Sequence, residues 1–375
     1  MHDGFTDLIY VMLPLWQREF GLTFAAVGLL RTLYTGAMAT FQFPSSLISE
    51  RAGAGLMLAL GTAFAGSAYI VAGSGSTYAA LALALFAGGL GSSVQHPISS
   101  NMVARAYEGA RSRVALGTYN FSGDIGKMAL PALVAGLLFL LPWRNVLWIV
   151  GLIGLCVAVA IFFFAPRMPP EIHQASDRDT SHGNARTFTA GLSILLAIGC
   201  VDSATRMGFL TFLPFVLTSK GATVQTVGLA FTILFAGGAA GKFVCGFLGA
   251  RIGVLATVCL TEGLTAVGML ALLPLNLAVS LAVLPLIGVA LNGTSSALYG
   301  TVPELVPPSR RQRAFGIFYT GTIGAGAIAP VLSGLFSDAY GVRLLIFVVG
   351  SLVLVTIPLA FALQRNFQTE AVSAG

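Results

Sequence analysis

Eight charged side chains lie deep within stretches of sequence that are otherwise apolar, and four of them are acidic and four basic. A charge at the centre of a bilayer costs about 3 kcal/mol on insertion scales, so it persists where it is paired or where it faces water or substrate. The equal numbers of acids and bases favour pairing. The acids are Asp7, Asp124, Asp202 and Glu262, and the bases are Arg31, Lys127, Arg206 and Lys242.

Two of the pairs follow from helical spacing alone. Asp124 and Lys127 are three residues apart in the sequence, so they share one face of a helix. Asp202 and Arg206 are four residues apart and share a face in the same way. Each of these acids therefore has a base within reach near the middle of its apolar span.

Two further pairs need contact between different spans. Asp7 lies about 15 Å from the outer end of the first span, and Arg31 about 12 Å from the outer end of the second, at a rise of 1.5 Å per residue. We expect these two side chains to meet near the midplane of the membrane. Lys242 and Glu262 can pair between the eighth and ninth spans, and we assign that pair no role in transport.

Two interpretations of these charges stay open. They are internal salt bridges that neutralise one another, or a carboxylate whose partner can be displaced serves as a proton or substrate switch. An arginine guanidinium also offers two parallel hydrogen bonds to a phosphonate or carboxylate. The second interpretation predicts proton coupling through Asp7 first, then Asp124, His96 and Asp202. It predicts substrate binding through Arg31, Lys127, Arg206, Gln95, Asn120, Asn292 and Tyr319.

His96 has two interpretations of its own, because it precedes Pro97 in the fourth span and proline distorts a helix. A neutral histidine can donate a hydrogen bond to a backbone carbonyl that the distortion leaves free. Its titration range equally suits a proton relay.

The composition places these charges in a membrane protein. Only 9% of the 375 residues are charged and 56% are hydrophobic, whereas a soluble protein has about 25% charged residues. The formal net charge is +6, but the basic residues lie singly or in short clusters between apolar runs, which excludes a nucleic-acid-binding face. The sequence has no H-E-x-x-H or G-x-S-x-G motif, and its four cysteines lack metal-ligand spacing. We therefore expect no enzyme activity, metal or cofactor.

The apolar runs predict an all-α membrane protein with twelve transmembrane helices in two pseudo-symmetric six-helix bundles, since each crossing needs about 20 apolar residues. The glycine-rich runs, among them Gly237, Gly238 and Gly241, predict close packing between helices. The domains are an N-terminal half (1–165), a linker (166–186), a C-terminal half (187–366) and a tail (367–375). The spans lie at 1–17, 23–47, 55–73, 78–103, 113–141, 146–165, 187–218, 224–248, 253–274, 277–301, 314–337 and 343–363.

The basic residues also predict the orientation of the spans. Twelve of the twenty lie in one set of loops and tails, four in the alternate set, and four within the spans. Because loops rich in Lys and Arg stay on the cytoplasmic side, we expect both termini and the linker to be cytoplasmic.

The two halves repeat one another. Pro14 and Pro214 occupy equivalent places, yet the first span begins 13 residues before its proline and the seventh about 27. We therefore expect the first helix to be truncated and the true start to lie upstream of Met1. The repeat is carried by Arg111, Ala115, Gly117, Pro131 and Arg144, which recur at one constant offset as Arg310, Ala314, Gly316, Pro330 and Arg343.

The loop after the second span of each half carries a Gly, acid, Arg, spacer, Gly pattern. It reads Ser46, Glu50, Arg51, Gly53 in one half and Gly246, Ala250, Arg251, Gly253 in the other, with Ser for the first Gly and Ala for the acid. With twelve spans in two halves, this pattern resembles the major facilitator superfamily. The resemblance implies a latch that holds the halves in one conformational state. Its residues are Glu50, Arg51, Gly53, Arg251 and Gly253.

Short motifs also resemble the fosmidomycin-resistance branch of drug exporters within that superfamily. They are Gly4-Phe5-Thr6-Asp7, Glu19-Phe20-Gly21-Leu22, His96-Pro97 with Ser99-Ser100, and Val103-Ala104-Arg105. This resemblance implies export across a bacterial inner membrane. Two departures argue against antiport. Leu85 stands where proton-coupled members often carry Arg, and Pro131 follows Gly126 by five residues instead of directly.

We therefore expect a monomeric secondary transporter that moves a small polar or anionic organic compound by alternating access, coupled to protons and directed towards efflux. An organic-acid uptake symporter or uniporter is the alternative, since the same charged cavity serves either direction. A transporter-like membrane receptor without flux is a more distant alternative.

Overall fold

The computed structural model describes residues 1–107, 109–165, 190–302, 305–306 and 311–373. This part of the chain is helical and contains no β-strand, which confirms the predicted all-α class. The predicted linker (166–186) lies outside the described residues. The helices are α1 (His2–Phe20), α2 (Phe24–Ala52), α3 (Ala54–Ser74), α4 (Tyr78–Ser92), α5 (Gln95–Ala106), α6 (Gly109–Leu137), α7 (Trp143–Phe164), α8 (Ala190–Ser219), α9 (Val224–Ala271), α10 (Leu277–Thr301), α11 (Arg311–Tyr340), α12 (Val342–Val353) and α13 (Thr356–Ser373).

The helices follow the predicted spans with three local differences. One predicted span is interrupted at Ser93 and Val94, so that it forms two helices, α4 and α5. The last predicted span is interrupted in the same way between α12 and α13. α9 covers two predicted spans because a turn at Gly253 joins them. In the described chain, nine segments are long and apolar enough to cross a membrane, and Leu255–Ala271 is a shorter apolar helix.

The sequence repeat reappears as a repeat of backbone conformation. α2 ends at Gly53 with φ of 92°, and α9 turns at Gly253 with φ of 81°. Glycine adopts such left-handed angles without the steric cost that a Cβ brings. The helices before these turns begin alike, since the Thr23 and Thr223 hydroxyls each accept a hydrogen bond from the backbone N–H three residues later.

The bundle has two ends, which we name by their turns. The outer end carries the turns at Gly21, Gly75, Gly221 and Gly341, and the inner end carries those at Gly53 and Gly253. By the distribution of basic residues, the inner end is the one that we expect to face the cytoplasm.

The hydrophobic core closes the bundle at its outer end. One cluster of buried side chains joins α1 from Phe5 to Trp16 with α8 from Phe209 to Leu217 and α9 from Val227 to Phe235. Towards the inner end, the described buried residues separate into two clusters. One lies around Val94 and Ile98 in the N-terminal half, and the other lies around residues of α8, α10 and α11 in the C-terminal half. The halves therefore pack together outside and part inside.

Glycines bring helix backbones into contact, as the sequence predicted. A Cβ placed on Gly237 of α9 would overlap the carbonyl oxygen of Pro285 on α10, and one on Gly241 would overlap that of Val289. A residue with no side chain is thus required along this seam, because backbone atoms cannot move aside as a flexible side chain does.

We predict that Gly237→Ala lowers stability by about 1–3 kcal/mol, because the added methyl group overpacks the α9–α10 seam. The matched control is Gly324→Ala on α11, where a Cβ meets open space. Thermal unfolding of the purified protein in detergent checks this. An unchanged midpoint for Gly237→Ala would contradict the packing described here.

Candidate functional site

α1 and α2 bring the first predicted ion pair together. Asp7 Oδ1 lies 3.6 Å from Arg31 Nη2, and both residues are buried. The Arg31 guanidinium also donates to the Tyr10 hydroxyl at 2.7 Å and to the Thr6 carbonyl, and it lies 4.2 Å from the centre of the Tyr10 ring. The predicted meeting of Asp7 and Arg31 is confirmed, and Arg31 is enclosed by α1 in this conformation.

Asp124 on α6 binds two lysines, one from each half. Lys127 lies 3.6 Å from Asp124 Oδ1, as the spacing of three residues predicted. Lys242 on α9 donates to both carboxylate oxygens of Asp124 at 2.7 Å. The carboxylate therefore bridges the N-terminal and C-terminal halves.

The predicted pairing of Lys242 with Glu262 is wrong. Lys242 precedes the turn at Gly253 and its side chain crosses to α6, whereas Glu262 follows the turn. Glu262 instead accepts a hydrogen bond from Thr356 of α13 at 3.5 Å and is hydrogen-bonded to Asp202 of α8. The two segments of α9 thus present these side chains to different neighbours.

The third cluster lies in the C-terminal half and is richer in acid than in base. Asp202 Oδ2 lies 3.9 Å from Arg206 Nη2, so this predicted pair is confirmed. The carboxyl groups of Asp202 and Glu262 are both buried and share a hydrogen bond. Two adjacent carboxylates in a medium of low dielectric constant repel each other, and one proton between them relieves that repulsion.

His96 pairs with an acid that sequence reasoning missed. Its Nε2 lies 3.2 Å from Asp3 Oδ1, and 44% of the His96 side chain is exposed. Asp3 lies in the first turn of α1, where an acid is usually interpreted as stabilising the N-terminus of the helix. For that reason it was not predicted as a site residue. A signal was present, since Asp3 and Asp7 are four residues apart and share one face of α1.

The remaining predicted substrate contacts are dispersed. Tyr319 on α11 stacks on Tyr299 at 4.7 Å between ring centres and is exposed. Asn292 on α10 donates to the Gly288 carbonyl at 3.3 Å. Gln95 is half-buried and Asn120 is exposed. Their binding roles stay predictions.

The predicted latch residues lie at the inner end. Gly53 and Gly253 make the two left-handed turns, and the Arg251 guanidinium lies 4.3 Å from the centre of the Phe247 ring. Within the described residues, no ion pair involves Glu50 or Arg51. The turn of the inner loop is therefore formed, but Glu50 and Arg51 make no ion pair with any described residue.

The Asp124 cluster lies between the two halves. Lys127 and Lys242 keep 31% and 34% of their side chains exposed there. A helical membrane bundle that is sealed at one end, parted at the other and charged between its halves has the architecture of a secondary transporter.

The sequence profile of the Major Facilitator Superfamily matches residues 2–198 and 195–374 of this chain. The chain therefore belongs to the Major Facilitator Superfamily. Two of the relatives that it matches are named as probable transporters.

Individual proteins agree with this membership. The chain is 27% identical over 365 residues to the fosmidomycin resistance protein of Escherichia coli K12, covering 92% of this chain and 85% of the relative. It is 20% identical to a probable L-galactonate transporter of the same organism, covering 89% and 80%. A bacterial homologue of the human lysosomal transporter Spinster, in an inward-facing and occupied conformation, matches with a TM-score of 0.81 at 16% identity, covering 98% and 95%.

The bridging carboxylate gives a ranked prediction. Asp124→Asn removes the carboxylate that both Lys127 and Lys242 contact, whereas Lys242→Gln leaves Asp124 paired with Lys127. We therefore expect Asp124→Asn to lower the unfolding midpoint more than Lys242→Gln, because it strands two partly buried cations. Thermal unfolding of the two purified variants measures this, and the reverse order would refute the bridge.

Proposed function

We propose that this transporter moves a small organic anion by alternating access, coupled to protons, with efflux across a bacterial inner membrane as its direction. The observation that supports an anionic substrate and its coupling to protons is the Asp124 carboxylate held by lysines from both halves. Those lysines are the natural partners for an anionic substrate that enters between the halves. The inner end, where the halves part, would then face the cytoplasm.

Proton binding and anion binding are linked through this carboxylate. Protonation of Asp124 removes the charge that occupies Lys127 and Lys242, and both cations become available to a substrate anion. By reciprocity, a bound anion favours the protonated carboxyl group. Asp7 and Arg31 link proton binding to anion binding in the same way, because protonation of Asp7 on α1 makes Arg31 on α2 available to an anion.

We assign further proton sites to the carboxyl pair of Asp202 and Glu262 and to His96. The carboxyl pair holds one proton while its members remain adjacent, and Arg206 is the cation that can separate them. His96 lies on the open side of Asp3 and can pass a proton to it. Arg31 and Arg206 serve as anion anchors when their acids are protonated.

The efflux direction is supported by a relative, since the 27% identical relative is named a fosmidomycin resistance protein. Uptake by proton–anion symport is the second candidate, and a specific observation favours it. The linkage through Asp124 makes one conformation bind proton and anion together, which is the requirement for symport. The relative named for L-galactonate, a carboxylate, is consistent with this candidate.

Proteoliposomes with an acidic exterior separate the two directions. Antiport drives a preloaded anion out of the vesicles against its own gradient, whereas symport drives external anion inwards. Fosmidomycin and L-galactonate are the two probes, and an uncoupler is the control for the gradient. Efflux of fosmidomycin that the uncoupler abolishes supports the primary proposal. Gradient-driven entry of either probe overturns efflux in favour of symport.

We predict that Asp7→Asn abolishes transport driven by the pH gradient, because an amide keeps the shape of the carboxyl group but cannot take up and release a proton. Exchange of labelled for unlabelled substrate at equal pH should persist, since it needs no net proton movement. Both rates are measured in the same proteoliposomes, with thermal unfolding as the check on folding. If Asp7→Asn transports substrate along the pH gradient at the rate of the unsubstituted protein, Asp7 is not part of the coupling mechanism.

A further inference from the structure

The outer end contains a contact between the halves that the transport site does not use. Asp338, near the end of α11, accepts hydrogen bonds from the backbone N–H groups of Phe24 at 2.7 Å and Ala25 at 2.8 Å. These N–H groups belong to the first turn of α2, where a helix has no carbonyl partners of its own. The carboxylate of one half thus caps a helix of the other half.

The charge strengthens this contact in two ways. Hydrogen bonds to a carboxylate are about twice as strong as those between neutral groups. The positive end of the helix dipole also attracts a negative group at the N-terminus of α2. Thr23 separately caps the same turn from within the N-terminal half, by accepting from Ala26 N–H at 3.2 Å.

Below Asp338, the α2 and α11 backbones touch. A Cβ on Gly28 of α2 would overlap the carbonyl oxygen of Pro330, and one on Gly334 of α11 would overlap that of Phe24. We call this line of contacts the α2–α11 seam. Asp338 lies at its outermost point, beside a cavity of about 860 Å³ that Phe24 and Gly341 help to line.

The corresponding seam between α6 and α9 lacks the carboxylate. Gly228 of α9 packs against Pro131 and Ala135 of α6, much as Gly28 packs against Pro330. At the constant offset that relates Pro131 to Pro330, the counterpart of Asp338 is Phe139, which is exposed. The carboxylate is therefore an addition to one seam and not a requirement of helix packing in both.

We propose that Asp338 is a latch that holds the outer end shut in the conformation described here. Opening of the outer end pulls α2 away from α11, so both hydrogen bonds to Asp338 must break. The inference rests on the alternating access of the proposed function, but it concerns the gate and not the substrate or the coupling ion.

Distances between spin labels at the outer end test the latch. Ser76 in the α3–α4 turn and Ala278 on α10 are exposed and belong to different halves, so each can be replaced by cysteine. The background lacks the native Cys156, Cys200, Cys245 and Cys259. Asp338→Ala should shift the ratio of long to short distances towards long by about tenfold, the effect of losing one or two charge-assisted hydrogen bonds.

Thr23→Ala is the matched control, because it removes a cap from the same turn of α2 without touching the other half. It should leave the distance distribution unchanged. Gly28→Ala is a second route to the same result, since its methyl group forces the seam apart, and Gly36→Ala on the same helix meets open space. A distribution in Asp338→Ala that matches the unsubstituted protein, or an equal shift in Thr23→Ala, overturns the latch.

The measurement needs no substrate, so its outcome is separate from that of the proposed function. A longer outer distance in Asp338→Ala supports the latch even if neither fosmidomycin nor L-galactonate is transported. Proton-driven flux of a probe together with unchanged distances in Asp338→Ala overturns the latch and leaves the transport proposal standing.

Discussion

An ion inside a bilayer needs a counter-charge, because little water is there to solvate it, and this requirement organises the interior of the protein. Asp7 is held by Arg31 between α1 and α2, and Asp124 by lysines from both halves. The pairs therefore join neighbouring helices, α1 to α2 and α6 to α9. In the proposed function, a proton or an anion replaces one member of such a pair, so the groups that stabilise the fold would also serve transport.

The two halves satisfy this requirement differently. In the N-terminal half, each deeply buried acid has at least one basic partner within 4 Å. In the C-terminal half, Asp202 and Glu262 lie together, and Arg206 is the one basic partner that they have among the described residues. A pair of carboxyl groups with one cation is neutral only when it also holds a proton. Charge balance is the reason why we propose a proton site at this carboxyl pair.

The distribution of apolar packing sets where these charges can be reached. The outer end is closed by one shared core and by glycine seams in which helix backbones touch. The inner end has separate cores for each half, so Lys127, Lys242 and His96 remain partly exposed. An interface that depends on backbone contact weakens steeply when it opens, since a gap of roughly 0.5–1 Å already loses about a quarter to a half of the attraction. Such an interface is suited to two discrete states.

The sequence alone determined most of the helices and the pairs within one helix. Apolar runs of about 20 residues specify a crossing, and a spacing of three or four residues fixes a shared face, because both follow from the geometry of a single helix. Depth along the first two spans also predicted that Asp7 and Arg31 meet, but the tertiary structure decided the other contacts between helices. Lys242 reached Asp124 instead of Glu262, and Asp3 reached His96, because such contacts depend on the rotation and tilt of each helix. Those are set by packing against every neighbour at once, and spacing along the chain does not encode them.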